Sequence, residues 1–497
     1  MATGYLDNFY ARLGISRLAT QEEIRDAYHH AAQKFHPDTN KNPGSTEVFL
    51  QIQEAYETLS NPEKRAAYDQ ALPDDIDTPE DLLINTIYSR EVLSITEAPQ
   101  LVYALLNITA IPDPENLRGS KTPSINLCLV LDTSTSMSGR RLDAVKETAI
   151  KIVQTLRPHD VLSLVTFNDR AEVIAPASRG QNKSMLEAQI SVMHTGGGTE
   201  IGQGLQIGLR ELSHHLDEAN HNHLILITDG RTYGDEEECL AMADEAAQNG
   251  ITINPLGIGS KWSDDFLDSM AKRTGGSSEY AINPQVIKQF LDAKFGQISN
   301  SYANNVVLAA HTPDNVTLRY AFRISPDTSS LDVSDQIPLG DIPMDQSLSV
   351  LTEFYIDSTM KNKEEITLLE GNLHMTIPSE SIPKVALRFS LCRKVAKDPK
   401  VEPPPKILVQ AMSRLSLYRM QEKAQQELND GQVEKATQRL KRLSENLLAS
   451  GEPDLAHTVM LEIDHISRTQ SLSDSAQKQI KYGTRALIGR LDQEPKQ

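Results

Sequence analysis

The chain has 497 residues, of which 39% are hydrophobic and 24% charged, enough for about three globular domains. Its 68 acidic and 49 basic residues give a formal net charge of −19, which excludes the basic surface that non-specific binding to nucleic acid or anionic membranes requires. Three cysteines far apart, Cys128, Cys239 and Cys392, exclude a disulfide framework or a CxxC metal site, fit a reducing compartment and leave Cys128 as a core residue in an apolar run.

The first segment, MATGYLDNFYARLG, has no basic region followed by an apolar stretch, so no signal peptide is expected. No run reaches the roughly 18 apolar residues of a membrane span, and a cytoplasmic location is expected. Residues 1–72 read as a helical unit. Thr20 with Glu23 three positions on is a capping-box pattern, and Ile24, Ala27, Tyr28, Ala31 and Phe35 follow at helical spacing. A second apolar stripe, Val48, Phe49, Ile52, Ala55, Tyr56 and Leu59, predicts an antiparallel helical hairpin, and Asn61-Pro62 opens a third helix. Between the two stripes stands KFHPDTN. Pro37 ends the helix and restricts His36 to extended backbone. His36 and Asp38 are thereby held on an exposed loop, suited to presenting a small fixed surface to another protein.

Residues 73–84, beginning PDDIDTPE, read as an acidic linker, and 85–122 as strands that pair with a later β region. From 123 to 290 strand and helix alternate. INLCLVL, DVLSLVTF, HLILITD and ITINPLGIG are strands, and RRLDAVKETAIKIVQTL, IGQGLQIGLRELSHHL and DEEECLAMADEAAQNG are helices. This predicts a doubly wound α/β domain with parallel strands. Residues 291–398 lose the helical period and predict antiparallel strands. The fold class expected is therefore multidomain: an N-terminal helical unit, an α/β domain inserted in an antiparallel β-sandwich, and a bundle of three or four helices over 399–497.

At the end of INLCLVLD lies Asp132-Thr133-Ser134-Thr135-Ser136, a D-x-S-x-S at the carboxyl end of a strand, where doubly wound sheets bind ligands. Three oxygen-bearing side chains two residues apart converge from one loop. Thr199, after three glycines, and Asp229, ending HLILITD, supply two more oxygens. Hard cations take oxygen ligands, so Mg²⁺ or Mn²⁺ is the cofactor expected, and the residues do not choose between them. Thr195 competes with Thr199 for the threonine position. The histidines of HHLDEANHNH read as a solvated loop. No GxxxxGK[ST] is present, and neither Ser134 nor Ser136 has a base placed beside it, so no enzyme is expected. KATQRLKRLSENLL is amphipathic, either packed in the bundle or offering a partner-binding face.

Two resemblances follow from these residues. IRDAYHHAAQKFHPDTN and FLQIQEAYETLSNPEKRAAYD, in that order and spacing, resemble a J-domain of the DnaJ kind. The resemblance implies docking on a DnaK-type chaperone and stimulation of its ATP hydrolysis through His36, Pro37 and Asp38, with Arg25 and Lys34 as basic contacts. The basic face usual in that family is here reduced to these two, beside Tyr28-His29-His30 and acidic Glu22, Glu23 and Asp26. Asp132, Ser134, Ser136, Thr199 and Asp229 resemble the metal-ion-dependent adhesion site (MIDAS) of von Willebrand factor type A domains, which implies binding of a partner's Asp or Glu carboxylate through the metal. Together they imply a co-chaperone adaptor. The alternative is a metal-dependent scaffold, or an accessory of an AAA-type remodelling machine, without chaperone stimulation.

Overall fold

A computed structural model describes residues 8–37, 45–72, 81–112, 123–217, 220–231, 234–358, 364–379, 384–400 and 402–490. The chain folds into two compact units. One draws on residues 1–121, 306–414 and 488–494, the other on 122–305, 415–487 and 495–497.

The first unit opens with four helices, Phe9–Leu13, Gln21–Phe35, Ser45–Leu59 and Pro62–Ala71. The capping box forms: Thr20 Oγ1 accepts from the Glu23 amide at 3.2 Å, and Glu23 accepts from the Thr20 amide. Both expected stripes enter one core, with Ile24, Ala31 and Phe35 against Val48, Ile52, Ala55 and Leu59, while Tyr28 stacks on Tyr56 at 4.1 Å. The fourth helix closes the unit through Arg65, which donates to the Tyr10 hydroxyl and to the carbonyls of Arg17 and Ala19.

These helices sit on a β-sandwich. One sheet has the order β1-β3-β14-β11-β12, built from β1 (Leu82–Tyr88), β3 (Gln100–Ala110), β14 (Ser347–Ile356), β11 (Val316–Ser325) and β12 (Ser329–Leu331). The other is β13-β10-β15-β16-β2, from β13 (Gln336–Pro343), β10 (Ser301–His311), β15 (Glu365–Thr376), β16 (Lys384–Ala396) and β2 (Val92–Ser94). The pairs β1–β3, β3–β14, β14–β11, β11–β12 and β15–β16 are antiparallel, and short β2 runs parallel to β16. The strand expected to begin at 85 begins at Leu82, inside the expected linker. The reason is burial on both faces: all seven β1 residues are buried, and Leu83 belongs to the helical unit's core, so no polar alternation marks the start. The linker's residues 73–80 lie outside the described residues. The helices are fixed to the sheet by Lys34 Nζ, 2.7 Å from the Ala110 carbonyl, and by Gln51 Nε2, 3.3 Å from the Thr86 carbonyl.

The second unit holds a six-stranded sheet, β6-β5-β4-β7-β8-β9: β4 (Ser124–Asp132), β5 (Val161–Phe167), β6 (Ala171–Arg179), β7 (Asn220–Thr228), β8 (Thr252–Ile258) and β9 (Glu279–Ala281). All pairs are parallel except β5 with β6. Central β4 is buried at eight of nine positions, Cys128 included. Full burial of each such Val or Leu side chain is worth about 1.5–3 kcal/mol, which is why an uninterrupted apolar run takes the central place. The antiparallel edge strand β6 and helix Lys183–Ser191 were not expected from the sequence. β6 is half-exposed and carries Pro176, the signature of an edge rather than a core strand. Helix Pro284–Ser299 carries the α/β domain past the expected end at 290, because its Ile287, Leu291 and Ile298 continue the domain's core.

His221 and His223 are a correction. Expected on a solvated loop, they lie buried in β7. His221 Nδ1 meets Asn304 Oδ1, and Asn126 Nδ2 bonds Asn222 Oδ1 at 2.9 Å, so a polar sequence is buried with polar partners. Burial, with the Lys294 charge, pushes His223 down to about 3.

Four helices follow the prolines: Lys406–Asn429, Val433–Ala449, Pro453–Thr469 and Asp474–Gly489. KATQRLKRLSENLL packs Ala436, Leu440, Leu443 and Leu447 into their shared core. Within the second unit, helix Asp474–Gly489 joins helix Asp264–Arg273 through buried charges. Lys481 Nζ lies 2.7 Å from Asp264 and 2.8 Å from Asp268, and Arg485 Nη1 lies 3.1 Å from Asp268.

Candidate functional site

The sheet places its own switch point. From β4 the chain passes to β5 on one side, and β7 returns to the other, so a crevice opens at the carboxyl ends of β4 and β7. Leu131 pairs with Ile227, and Asp132 and Asp229 emerge side by side at this edge. Both carboxylates are buried, at 0% and 2% exposure, where an uncompensated charge is costly.

Their surroundings are hydroxyls. Asp132 Oδ1 accepts from the Ser134 amide at 2.7 Å, and Oδ2 accepts from Thr228 Oγ1 at 2.7 Å and the Asp229 amide at 3.4 Å. Burial raises the Asp132 carboxyl above its usual range, against the lowering effect of the Ser134 and Thr228 hydrogen bonds, and neighbouring Asp229 raises it further. Ser136 Oγ donates to Asp229 Oδ1 at 2.6 Å, and Ser134 Oγ lies 3.0 Å from Ser136 Oγ and 3.5 Å from Asp229 Oδ1. Thr199 packs against Gly230, the residue after Asp229; a Cβ at Gly230 would meet Thr199 Oγ1 at 2.7 Å. The glycine loop before Thr199 is tied down by the Gly196 amide to the Thr133 carbonyl, the Thr135 amide to the Gly197 carbonyl, and the Gly198 amide to Asp169 Oδ1. Asp132, Ser134, Ser136 and Asp229 are thus in one cluster, with Thr199 at its border.

The donor set is all oxygen, with two carboxylates and adjoining hydroxyls, and fits a hard divalent cation. No group of three or more His, Cys, Asp or Glu side chains among the described residues is arranged to hold a metal. A site of this composition depends on its hydroxyls. Sequence reasoning missed Arg141, whose Nη1 stands 2.6 Å from Asp229 Oδ2 and 3.3 Å from the Ser136 carbonyl. A signal was available: Arg140 and Arg141 open a helix directly after Gly139, where the helix dipole disfavours cations. Thr228 and Gly230 were missed because a strand's last polar residue and a lone glycine carry no distinctive pattern.

At the other candidate site, His36 caps helix Gln21–Phe35 with φ −62° and ψ 130°, the extended backbone that Pro37 imposes. His36 is half-buried with its ring edge-on to Phe49 at 5.4 Å, and Pro37 is exposed. Asp38 lies outside the described residues. Arg25, His29 and His30 are exposed. Lys34 differs from the expectation of a basic contact on an open face. Its ammonium bonds the Ala110 carbonyl, and burial lowers its pKa, with Asp345 opposing.

Comparison with known proteins agrees with this division. A DnaJ domain profile matches residues 8–69, a von Willebrand factor type A domain profile residues 126–293, and a profile described as "Sll0103-like, C-terminal alpha-helical domain" residues 406–490. The chain carries a J-domain fused to a von Willebrand factor type A domain. The J-domain is 56% identical over 66 residues to the chaperone protein DnaJ of Streptococcus thermophilus, covering 13% of this chain and 18% of that one. Over 251 residues the chain is 30% identical to the uncharacterized protein sll0103 of Synechocystis, covering 49% of this chain and 60% of that one. It therefore spans less than two thirds of each of these relatives. In fold it is similar to a von Willebrand factor type A protein from Catenulispora acidiphila, with a TM-score of 0.60 and 17% identity over 84% of this chain and 97% of that one. It is also similar to the ArnB paralog VWA2 from Sulfolobus acidocaldarius, with a TM-score of 0.52 and 15% identity over 82% and 99% of the two chains. J-domains and type A domains are in general interaction modules without catalytic chemistry. No described helix is long and apolar enough to cross a membrane.

Proposed function

We propose that this protein is a co-chaperone adaptor. Its J-domain docks on a DnaK-type chaperone through His36, Pro37 and Asp38, with Arg25 beside them, and stimulates that chaperone's ATP hydrolysis. Its type A domain holds a protein partner: Asp132, Ser134, Ser136, Thr199 and Asp229 bind Mg²⁺ or Mn²⁺, and an Asp or Glu of the partner completes the metal's shell. The metal supplies a positive centre with an open position; the chain supplies its orientation, Asp132 fixed by the Ser134 amide and Thr228, and Asp229 by Ser136. Both partners and the cytoplasmic setting belong to this reading. The observation that carries it is the convergence of two carboxylates and two serine hydroxyls at the switch point of a domain that shares its chain with an HPD-bearing J-domain.

The test is single-turnover ATP hydrolysis by the DnaK-type chaperone of the same organism. Stimulation by the parent and its loss in His36→Gln is the expected result. No stimulation by the folded parent overturns the co-chaperone role.

A second reading, a metal-dependent scaffold or an accessory of an AAA-type machine without chaperone stimulation, is favoured by one observation. Lys34, a family-type basic contact, is engaged with the Ala110 carbonyl, and His29 and His30, rather than lysines or arginines, stand on the exposed face. Loss of partner binding in Asp132→Ala with no effect of His36→Gln selects it.

A further inference from the structure

We infer that Arg141 is a built-in cation that competes with the divalent metal for Asp229, so that the metal enters by displacing it; this rests on the metal-site reading above. The Asp229 side chain is 1% exposed and the Arg141 side chain 41% exposed, so the guanidinium covers a buried carboxylate from the rim. Nη1 donates to Asp229 Oδ2 at 2.6 Å, while Oδ1 is occupied by Ser136 Oγ at 2.6 Å. A metal bound at the roughly 2.1 Å that Mg²⁺ requires would share Oδ2 with the guanidinium and bring two like charges within about 4 Å. Their repulsion through that shared oxygen makes the two cations compete for it.

The seat is built for the guanidinium. The Ser136 carbonyl accepts a second hydrogen bond from it at 3.3 Å. Gly259 leaves it room: a Cβ there would meet Nη2 at 2.9 Å. Arg141 also lies in the first turn of helix Arg140–Thr155, which has no side-chain cap, and there the helix dipole opposes a cation. A position unfavourable to an arginine by local rules is occupied because Asp229 faces it. With the guanidinium seated, the buried carboxylate is neutralised without metal. Released, the half-exposed arginine has solvent beside it to move into. Arg141 is a competing residue, and its effect is to raise the metal concentration at which the site fills.

The experiment measures Mn²⁺ binding to the full chain by the loss of the free-ion electron paramagnetic resonance signal. The parent, Arg141→Gln, Arg141→Lys and Asp229→Asn are compared. Removing a charge-assisted pair that the metal must otherwise break tightens binding about 10- to 100-fold in Arg141→Gln. Arg141→Lys, which keeps the charge, stays within a few-fold of the parent, and Asp229→Asn abolishes binding. A second readout is thermal melting: in EDTA Arg141→Gln melts below the parent, and saturating Mn²⁺ closes the gap. Equal or weaker Mn²⁺ binding in Arg141→Gln, with Asp229→Asn still abolishing it, overturns the competition and leaves the metal site standing. Mn²⁺ binding by neither parent nor Arg141→Gln overturns both.

Discussion

Gly230 lets Thr199 approach the Asp229 strand end. A methyl group at 230 would stand 2.7 Å from Thr199 Oγ1, 3.0 Å from its Cγ2 and 3.1 Å from its Cβ, so the threonine and its loop would have to retreat. Gly230→Ala is expected to weaken Mn²⁺ binding about tenfold, the cost of misplacing one ligand, and to lower stability by about 1–3 kcal/mol from overpacking. Titration of Mn²⁺ and urea unfolding separate the two effects; unchanged affinity would remove Thr199 from the ligand set. At this scale the sequence was informative wherever chemistry repeats at fixed spacing. Asp132, Ser134 and Ser136 could be picked out because one loop holds them two residues apart. Arg141 could not be matched to Asp229, because 88 residues separate them and only the β4–β7 pairing brings them together.

Among the elements, helix Asp474–Gly489 has the most consequential packing in the second unit. It sets Lys481 and Arg485 on Asp268, whose carboxylate also accepts from the Tyr482 hydroxyl at 3.1 Å and from Ser278. Burial alone would push Asp268 up; Lys481 and Arg485 outweigh it and hold the carboxyl well below its usual range. Since the folded-state pKa is depressed, its contribution is complete above the unfolded value near 4 and is lost as pH falls below that. Asp268→Asn leaves two buried cations without their partner and is expected to cost about 3–5 kcal/mol at pH 7, measured by urea unfolding. The variant's deficit should shrink as the parent is titrated toward pH 2; a constant deficit would mean that packing rather than charge is lost. That this region is helical was legible, as part of the three or four helices expected over 399–497; the break that sets Asp474–Gly489 apart from Pro453–Thr469 was not. The helix's docking was not legible either, because Asp264 lies 217 residues from Lys481, and Asp268 217 from Arg485. A related error befell β7, where His221 and His223 looked like loop residues because Asn304, the polar partner of His221, lies 83 residues away.

For the whole molecule, the order of parts was readable because each changes period: helical through the J-domain, alternating strand and helix through the type A domain, two-residue in the sandwich and helical again at the end. The insertion was readable because strands stand on both sides of the α/β region. How the J-domain sits was not, since its attachment uses backbone carbonyls, Ala110 for Lys34 and Thr86 for Gln51, which no sequence pattern reports. The J-domain is thereby mounted on the sandwich rather than carried only by a tether. A chaperone recruited under the proposed function would approach a fixed platform.

The pairing of β3 with β14 also sets a clock. Thr109 and Ser347, whose hydroxyls lie 2.6 Å apart, are 238 residues apart in the chain. At about 5–20 residues per second, synthesis of that interval takes roughly 12–48 s. Throughout it β1 and β3 have no β14 to cover their sheet edge, while the type A domain between them gains its last strand, β9, at Ala281, before the interval ends. On ribosomes stalled before Ser347, residues 124–299 should resist protease and 82–110 should be cut; on a chain released at full length both should resist. Equal protection of the two segments in the stalled chain would mean that the J-domain alone shelters the first strands, and that their wait for β14 exposes nothing.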